Sequence, residues 1–350
     1  MIVRPARLEP TFSPRPWGSR SLAPLFPEKS GLAEPFGEAW LTGNDCRFAD
    51  GPFAGQTLGE VWCDMPPEWV GTAVDRSGAF PILVKFIFPE EKLSVQVHPD
   101  DDYASRHEQA AGGRGKTEMW YAMQARPGAE VLVGLKPSVT REQFQRAISD
   151  GTAEDCLEHI PLRTGDAVFV PAGTAHTIGP GLVLCEVQQN SDLTYRVYDY
   201  NRRDAHDRAR ELHVEKALDV MRFGKQIGGK VEPVRIRRGP VTETHYAACR
   251  YFAAEQWDFA EPVSAATSRE HFDLLIFLEG GGRIQWGAER AAYATAQVWL
   301  IPAALGDYRL APDTRTSLLR AYVPGDLNAL GRSLAERGVG EAEWKRLVHR

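Results

Sequence analysis

Four side chains able to hold a divalent cation stand in three short segments of this sequence. Gln96 and His98 lie in LSVQVHPDD (93–101), Glu118 in GKTEMWY (115–121) and His176 in VPAGTAHTIGPG (170–181). Two imidazoles, one carboxylate and one amide oxygen make a plausible four-ligand set for a divalent metal. Each segment reads as a strand or a strand end. In the first, Leu93, Val95 and Val97 alternate with Ser94, Gln96 and His98, so a period of two puts Gln96 and His98 on one face. In the third, Pro171 must stop the strand ahead of it, because proline has no N–H for a ladder. Gly173 then permits the reversal that delivers His176 to the next strand. A single histidine is commonly a satisfied structural one. Four compatible groups in three turn-bounded segments point instead to a metal site.

Three further groups can do chemistry beside a metal. Arg196 sits in TYRVYDY (194–200), where period two gives it one face with Tyr198 and Tyr200. A guanidinium among apolar and aromatic residues needs an anionic partner, which can be a substrate or an internal carboxylate. Lys116 precedes Glu118 by two residues, hence shares its face if the strand extends that far; a solvated loop lysine is the alternative. Glu186, in LVLCEVQQ (182–189), lies on a face with Leu182, Leu184 and Gln188. Such surroundings raise a carboxyl pKa and suit proton transfer, or else the group orients a histidine or Arg196. Asp192 and His98 are also open as the proton-transfer group. Ser94 adds a hydroxyl on the face of Gln96, and Trp120 is placed to line a pocket, whereas Trp17 and Trp40 are expected to pack.

The elements that must position these groups read as mainly β. Apolar runs broken by Gly, Pro and Asp predict strands over 81–88, 93–97, 118–123, 130–135, 166–171, 182–189 and 194–200. Helices are few. Capping-box pairs, Thr57 with Glu60 and Thr140 with Gln143, predict helices over 57–65 and 140–151. A third is expected over 210–223, with Leu212, Val214, Leu218 and Met221 on one face, and a fourth over 327–338. Glycines and a proline in GKQIGGKVEP mark a boundary near 224–235, after which strands resume in 272–282, 297–312 and 316–325. The segment VWLIPAALGDYRL repeats the rhythm of AVFVPAGTAHTIG but has no histidine to match His176. Two tandem β-barrels follow: residues 1–234 as the metal-binding catalytic one with inserted helices, and 235–350 as a degenerate structural one. Gly280–Gly282 is read as a turn, and the charge run 199–211 as a solvated loop.

Composition narrows the partners. A formal charge of −6 over 350 residues, with no basic stripe, argues against nucleic acid and anionic membranes. The first ten residues lack the apolar run of a secretory leader, and the most apolar stretch, 79–89, is broken by Lys85 and too short to span a bilayer. Five cysteines without a C-x-x-C suit a reducing compartment, so the cytoplasm is the expected location.

The chain resembles phosphomannose isomerases of the cupin (jelly-roll) fold, the compact bacterial kind. The matching stretches are LSVQVHPDDDYA (93–104), GKTEMWY, residues 165–202 around VPAGTAHTIGPG and TYRVYDYNR, and RELHVEKALDV (210–220), with RPWGSRSL (15–22) and GEAW (37–40) as opening motifs. After GEAW the chain departs with Leu-Thr-Gly, where the family often has a serine two residues further on. The resemblance implies one Zn2+ per chain held by Gln96, His98, Glu118 and His176. It also implies a small-molecule sugar phosphate substrate, with mannose 6-phosphate and fructose 6-phosphate interconverted. It places Arg196, Lys116 and Glu186 in catalysis, with Ser94, Lys116, Arg196 and Trp120 against the substrate. Two other readings stay open: an isomerase of free mannose, and a sugar-binding regulatory cupin without turnover.

Overall fold

In a computed structural model, residues 2–203, 208–225 and 227–349 are described. Strands dominate, and they form two double-sheet lobes. In the first lobe a seven-stranded sheet runs in spatial order Gly229–Lys230, Ala167–Val170, Glu118–Ala125, Leu182–Gln189, Ile82–Ile87, Phe36–Trp40 and Thr11–Ser19. A five-stranded sheet, ordered Tyr195–Tyr198, Val95–Val97, His176–Ile178, Glu130–Leu135 and Leu157–Pro161, lies across from it. Trp120, Val168 and Leu184 from the larger sheet meet Val131, Val133 and Ile178 from the smaller one in a shared apolar cluster. This is the cupin-type barrel expected of the sequence.

The second lobe repeats the plan with an eight-stranded and a four-stranded sheet. Trp257, Leu275, Phe277 and Leu318 of the large sheet pack with Val263, Ile284 and Leu310 of the small one. The edge of the large sheet comes from the start of the chain: Ala6–Glu9 pairs antiparallel with Val298–Ile301, and Arg47–Phe48 extends it. Gly229–Lys230, from the glycine-rich boundary segment, pairs with Ala167–Val170 and so stays with the first lobe.

The two large sheets are buried on both faces, and this explains the continuous apolar runs. All six residues of Ile82–Ile87 are buried. Val84 and Phe86 face outward with Met119, Tyr121, Phe169 and Val187, and meet Tyr246, Leu274, Ile276 and Leu319 of the second lobe in one cluster. Lys85 and Ile87 face the other way, into the first barrel. Aromatic contacts add to the inter-lobe seam: Phe80 stacks on Phe272 at 5.0 Å, with Trp62 edge-on to Phe80 at 5.1 Å.

Both capping-box helices form, as Leu58–Trp62 and Arg141–Asp150, the second ending at Gly151 with φ 74°. Three details differ from the sequence reading. The helix expected over 210–223 is confined to Val214–Val220, and Leu212 stays outside it, exposed. Gly280, at φ 92°, makes the turn alone, while Gly281 and Gly282 open the strand Gly281–Trp286. The strand at 194–200 stops at Tyr198; Tyr200 turns away at φ 55° and its hydroxyl bonds Glu154. No helix among the described residues is long and apolar enough to cross a membrane.

Because one apolar cluster spans both lobes, Phe272→Ala should cost about 3–5 kcal/mol and lower a single unfolding transition common to both. Two separate transitions in calorimetry of the wild-type protein would show instead that the lobes unfold independently.

Candidate active site

Register places the site between the two sheets of the first lobe. Lys85 lies opposite Glu186, and Glu186 opposite Trp120, in one row across three strands of the large sheet. Gln188 opposite Glu118 forms the neighbouring row on the same face. On the small sheet, Arg196, Gln96 and His176 make a corresponding row. Directly opposed residues project to one side of a sheet, so both rows point into the barrel. His98 follows the strand Val95–Val97 immediately and completes the set.

His98, Glu118 and His176 are all buried, with ligand atoms within 4.8 Å of one another. Each imidazole is oriented by a backbone carbonyl: His98 Nδ1 donates to Leu193 O at 2.9 Å, and His176 Nδ1 to Thr174 O at 2.9 Å. A carbonyl only accepts, so both Nδ1 atoms carry the proton and both Nε2 atoms present lone pairs. Those lone pairs lie 3.5 and 3.4 Å from the two oxygens of Glu118. Two lone pairs and a carboxylate turned on one another call for positive charge, which the Lys116 ammonium supplies in part, at Glu118 and His98. The donor set therefore fits a divalent metal, and the carbonyl partners are of the kind that orients ligating histidines. Burial first, then the neighbouring Lys116 charge, hold His98 well below its ordinary pKa. Burial, partly offset by the Thr174 carbonyl, brings His176 down to about 4. Both rings are neutral near pH 7, as ligation requires.

Gln96 turns its amide nitrogen to His176 Nε2 at 3.2 Å, while its oxygen lies 3.5 Å from Ser94 Oγ. A half-turn of the amide exchanges the two. The Lys116 ammonium contacts Glu118 and lies 3.1 Å from His98 Nε2. Burial works against its charge, but Glu118 and Glu186 outweigh burial and raise its pKa. Lys116 is buried, so the solvated-loop alternative fails. Glu186 accepts from Trp120 Nε1 at 3.0 Å and lies 3.8 Å from both Lys85 and Lys116. Burial raises its pKa, with Lys116 acting in the opposite direction.

Gln96, Lys116, Trp120 and Glu186 line a cavity of about 460 Å³ together with Trp17, Asp192 and Arg210, and His98, Glu118 and His176 stand behind Lys116 and Gln96. Arg196 lines it too, half-buried, with Nε 3.3 Å from Ser94 Oγ and Nη1 3.0 Å from the Glu211 carbonyl. Neither of these partners is a carboxylate, and burial, then the neighbouring Arg210 charge, lower its pKa against the pull of Asp199.

Sequence reasoning missed Lys85, Glu38 and Arg15. Lys85 is 2% exposed, 3.7 Å from Glu38, and 4.3 Å above the Trp40 ring. Glu38 is paired in turn with Arg15 at 2.7 Å, and despite burial these two cations hold its pKa low. The signal was present, since one lysine inside ILVKFI must find a counter-ion once both faces of the strand are buried. The charge run 199–211 is not simply solvated either. Asp199 is buried and bound by Arg202 and Arg210, which draws the segment against the cavity mouth; residues 204–207 lie outside those described.

Known proteins are similar to this chain in sequence and fold. Residues 6–125 match the profile of the phosphomannose isomerase type I catalytic domain. The "Probable mannose-6-phosphate isomerase GmuF" of Bacillus subtilis is 35% identical over 317 residues, 88% of this chain and 96% of that protein. The chain belongs to the mannose-6-phosphate isomerase family. Mannose-6-phosphate isomerase ManA of the same organism is 32% identical, over 89% of this chain and 96% of its own length. A crystal structure of mannose 6-phosphate isomerase from Bacillus subtilis superposes with a TM-score of 0.82 at 30% identity, covering 91% of this chain and 99% of that one.

The low pKa of His176 has a definite consequence for stability. Its ordinary value is 6.5 and its folded value about 4. Between these the unfolded chain binds the extra proton, so stability falls as pH drops from 6.5 towards 4, by about 3 kcal/mol for this residue. Chemical denaturation of chelated protein across that range should show a slope to which His98 and His349, lowered in the same direction, also contribute, and His176→Gln should make it shallower. An equally steep slope in the variant would remove His176 as its source.

Proposed function

We propose that this chain is a metal-dependent isomerase interconverting mannose 6-phosphate and fructose 6-phosphate. The observation that carries the reading is that Lys116, Glu186 and Arg196 line one cavity with Gln96 and, through Lys116 and Gln96, adjoin the buried cluster of His98, Glu118 and His176. Zn2+ is the proposed ion, held by these three residues and by the amide oxygen of Gln96. When bound, it supplies Lewis acidity toward the oxygens of the sugar.

Aldose–ketose isomerisation moves a proton between C1 and C2 through an enediol whose oxygens gain negative charge. Glu186 is the proposed carrier of that proton, since burial brings its carboxyl towards neutrality. Lys85 and Lys116 flank it and hold its position. Arg196 is proposed as the charge partner of the enediol or the phosphate, with Lys116 and the Ser94 hydroxyl beside it, and Trp120 as a wall of the pocket. Arg15, Lys85, Lys116, Arg196 and Arg210 line the cavity with Glu38, Glu186 and Asp192, a balance that favours an anionic substrate. Residues 1–234 are proposed as the catalytic part, 235–350 as a structural lobe, and the cytoplasm as the location.

Conversion of mannose 6-phosphate should vanish on chelation and return with zinc. Protein that retains zinc and converts only free mannose would move the assignment to a free-sugar isomerase, and zinc with neither activity to a binding protein. His176→Ala should stay folded and lose both metal and turnover; normal metal content in that variant would overturn its ligand role. Arg196→Ala should keep metal and lose roughly a hundred- to a thousandfold in kcat. Unchanged kcat would return Arg196 to a structural role.

A further inference from the structure

We propose that Tyr251, in the second lobe, is a positioning residue for the metal-binding loops of the first, acting through Asp101. The inference rests on the metal-site reading above and assigns the second lobe a part in that site.

Asp101 follows His98 by three residues, and its carboxylate accepts from four donors. Oδ1 takes the Gly115 N–H at 2.9 Å and Gln189 Nε2 at 3.1 Å. Gln189 Oε1 in turn takes the Thr117 N–H at 2.8 Å, and the Lys116 N–H donates to Pro99 O at 3.0 Å. The segment after His98 is thereby fastened to the segment that leads into Lys116 and Glu118. The approach is close: a Cβ on Gly115 would stand 2.6 Å from the backbone of Asp100 and Asp101, which only glycine avoids.

The other oxygen belongs to the second lobe. Asp101 Oδ2 accepts from the Tyr251 hydroxyl at 2.6 Å and from Arg250 Nη2 at 2.8 Å. Arg250 is 67% exposed, so its ion pair contributes little. Tyr251 is half-buried and sits on the turn joining Val241–Ala248 to Ala253–Phe259. That turn is closed by Cys249 N–H to Phe252 O at 2.8 Å and anchored by fully buried Phe252, which packs near Phe169. A cleft of about 800 Å³ lies beside the contact, between Thr117 and Pro171 on one side and Tyr251 and Val323 on the other. The hydrogen bond to Asp101 is thus a polar link across the lobes at the rim of this cleft, beside the packing of Tyr251 and Phe252 against the shared apolar cluster. Removing the hydroxyl leaves Oδ2 with the exposed Arg250 alone and loosens the carboxylate whose other oxygen fastens the two loops.

The test uses full-length Tyr251→Phe and Asp101→Asn, with Arg346→Ala as a control that removes an exposed pair between the helix Glu341–Leu347 and Glu232. Zinc affinity is read by chelator competition, and hydrogen exchange over residues 113–119 by mass spectrometry. Tyr251→Phe should weaken zinc binding about tenfold and speed exchange at 115–117, with little change in Tm. Asp101→Asn should weaken it further, towards a hundredfold, because an amide can accept on one side only. The control should alter neither. Wild-type zinc affinity and wild-type exchange in Tyr251→Phe would overturn the proposal, and so would a lowered Tm with both unchanged. If the wild type holds no zinc, the metal reading fails, and exchange alone decides: faster exchange in Tyr251→Phe keeps the positioning role, unaltered exchange removes it.

Discussion

An alternating row of charges buried along one sheet face is the constraint on which the site depends. It runs Arg15, Glu38, Lys85, Glu186, Lys116, Glu118, each beside the next. None of its buried members could be carried into the barrel alone, since an unpaired charge there costs several kcal/mol. In the row, each interior charge has an opposite neighbour on either side. The three strands Ile82–Ile87, Leu182–Gln189 and Glu118–Ala125 must keep their register for the pairing to exist. A slip of one residue would turn Lys85 and Glu186 into the apolar seam between the lobes. Pairing at the site and packing at the seam therefore enforce the same register from opposite faces of one sheet.

The sequence disclosed those parts of the site whose signals are local. Alternation put Gln96 and His98 on one face, and Pro171 and Gly173 stopped one strand and began the next at His176, as the structure has it. The capping boxes at Thr57 and Thr140 were readable because each involves four consecutive residues. Lys85 was hidden because a strand buried on both faces shows no polar alternation; its partners Glu38 and Glu186 come from strands that only the fold makes adjacent. Pairing of Ala6–Glu9 with Val298–Ile301 is likewise a contact across nearly the whole chain, with no local signature. Tyr200 departed from its expected face because the strand ends at Tyr198 and the next turn takes a positive φ, which period two does not foresee.

The two barrels have similar frames and opposite interior chemistry. Inside the second, His245 Nδ1 lies 3.0 Å from Glu255, with Nε2 3.7 Å from Glu243. Burial works against its charge, but these two carboxylates outweigh it and raise its pKa to about 9. Arg320 completes the cluster at 2.9 Å from both Glu255 and Asp273. A histidine held as an imidazolium has no lone pair to offer a metal. In the first barrel the orienting partners are carbonyls, and burial keeps His98 and His176 neutral with their lone pairs turned inward. Glu118 faces both rings of the first barrel, but it is paired with Lys116 and burial prevails there, whereas at His245 two carboxylates together outweigh burial. Arg320 satisfies Glu255 and Asp273 in the second barrel, so its interior is closed by ion pairs, whereas in the first the Nε2 lone pairs of His98 and His176 meet only Lys116 and the Gln96 amide.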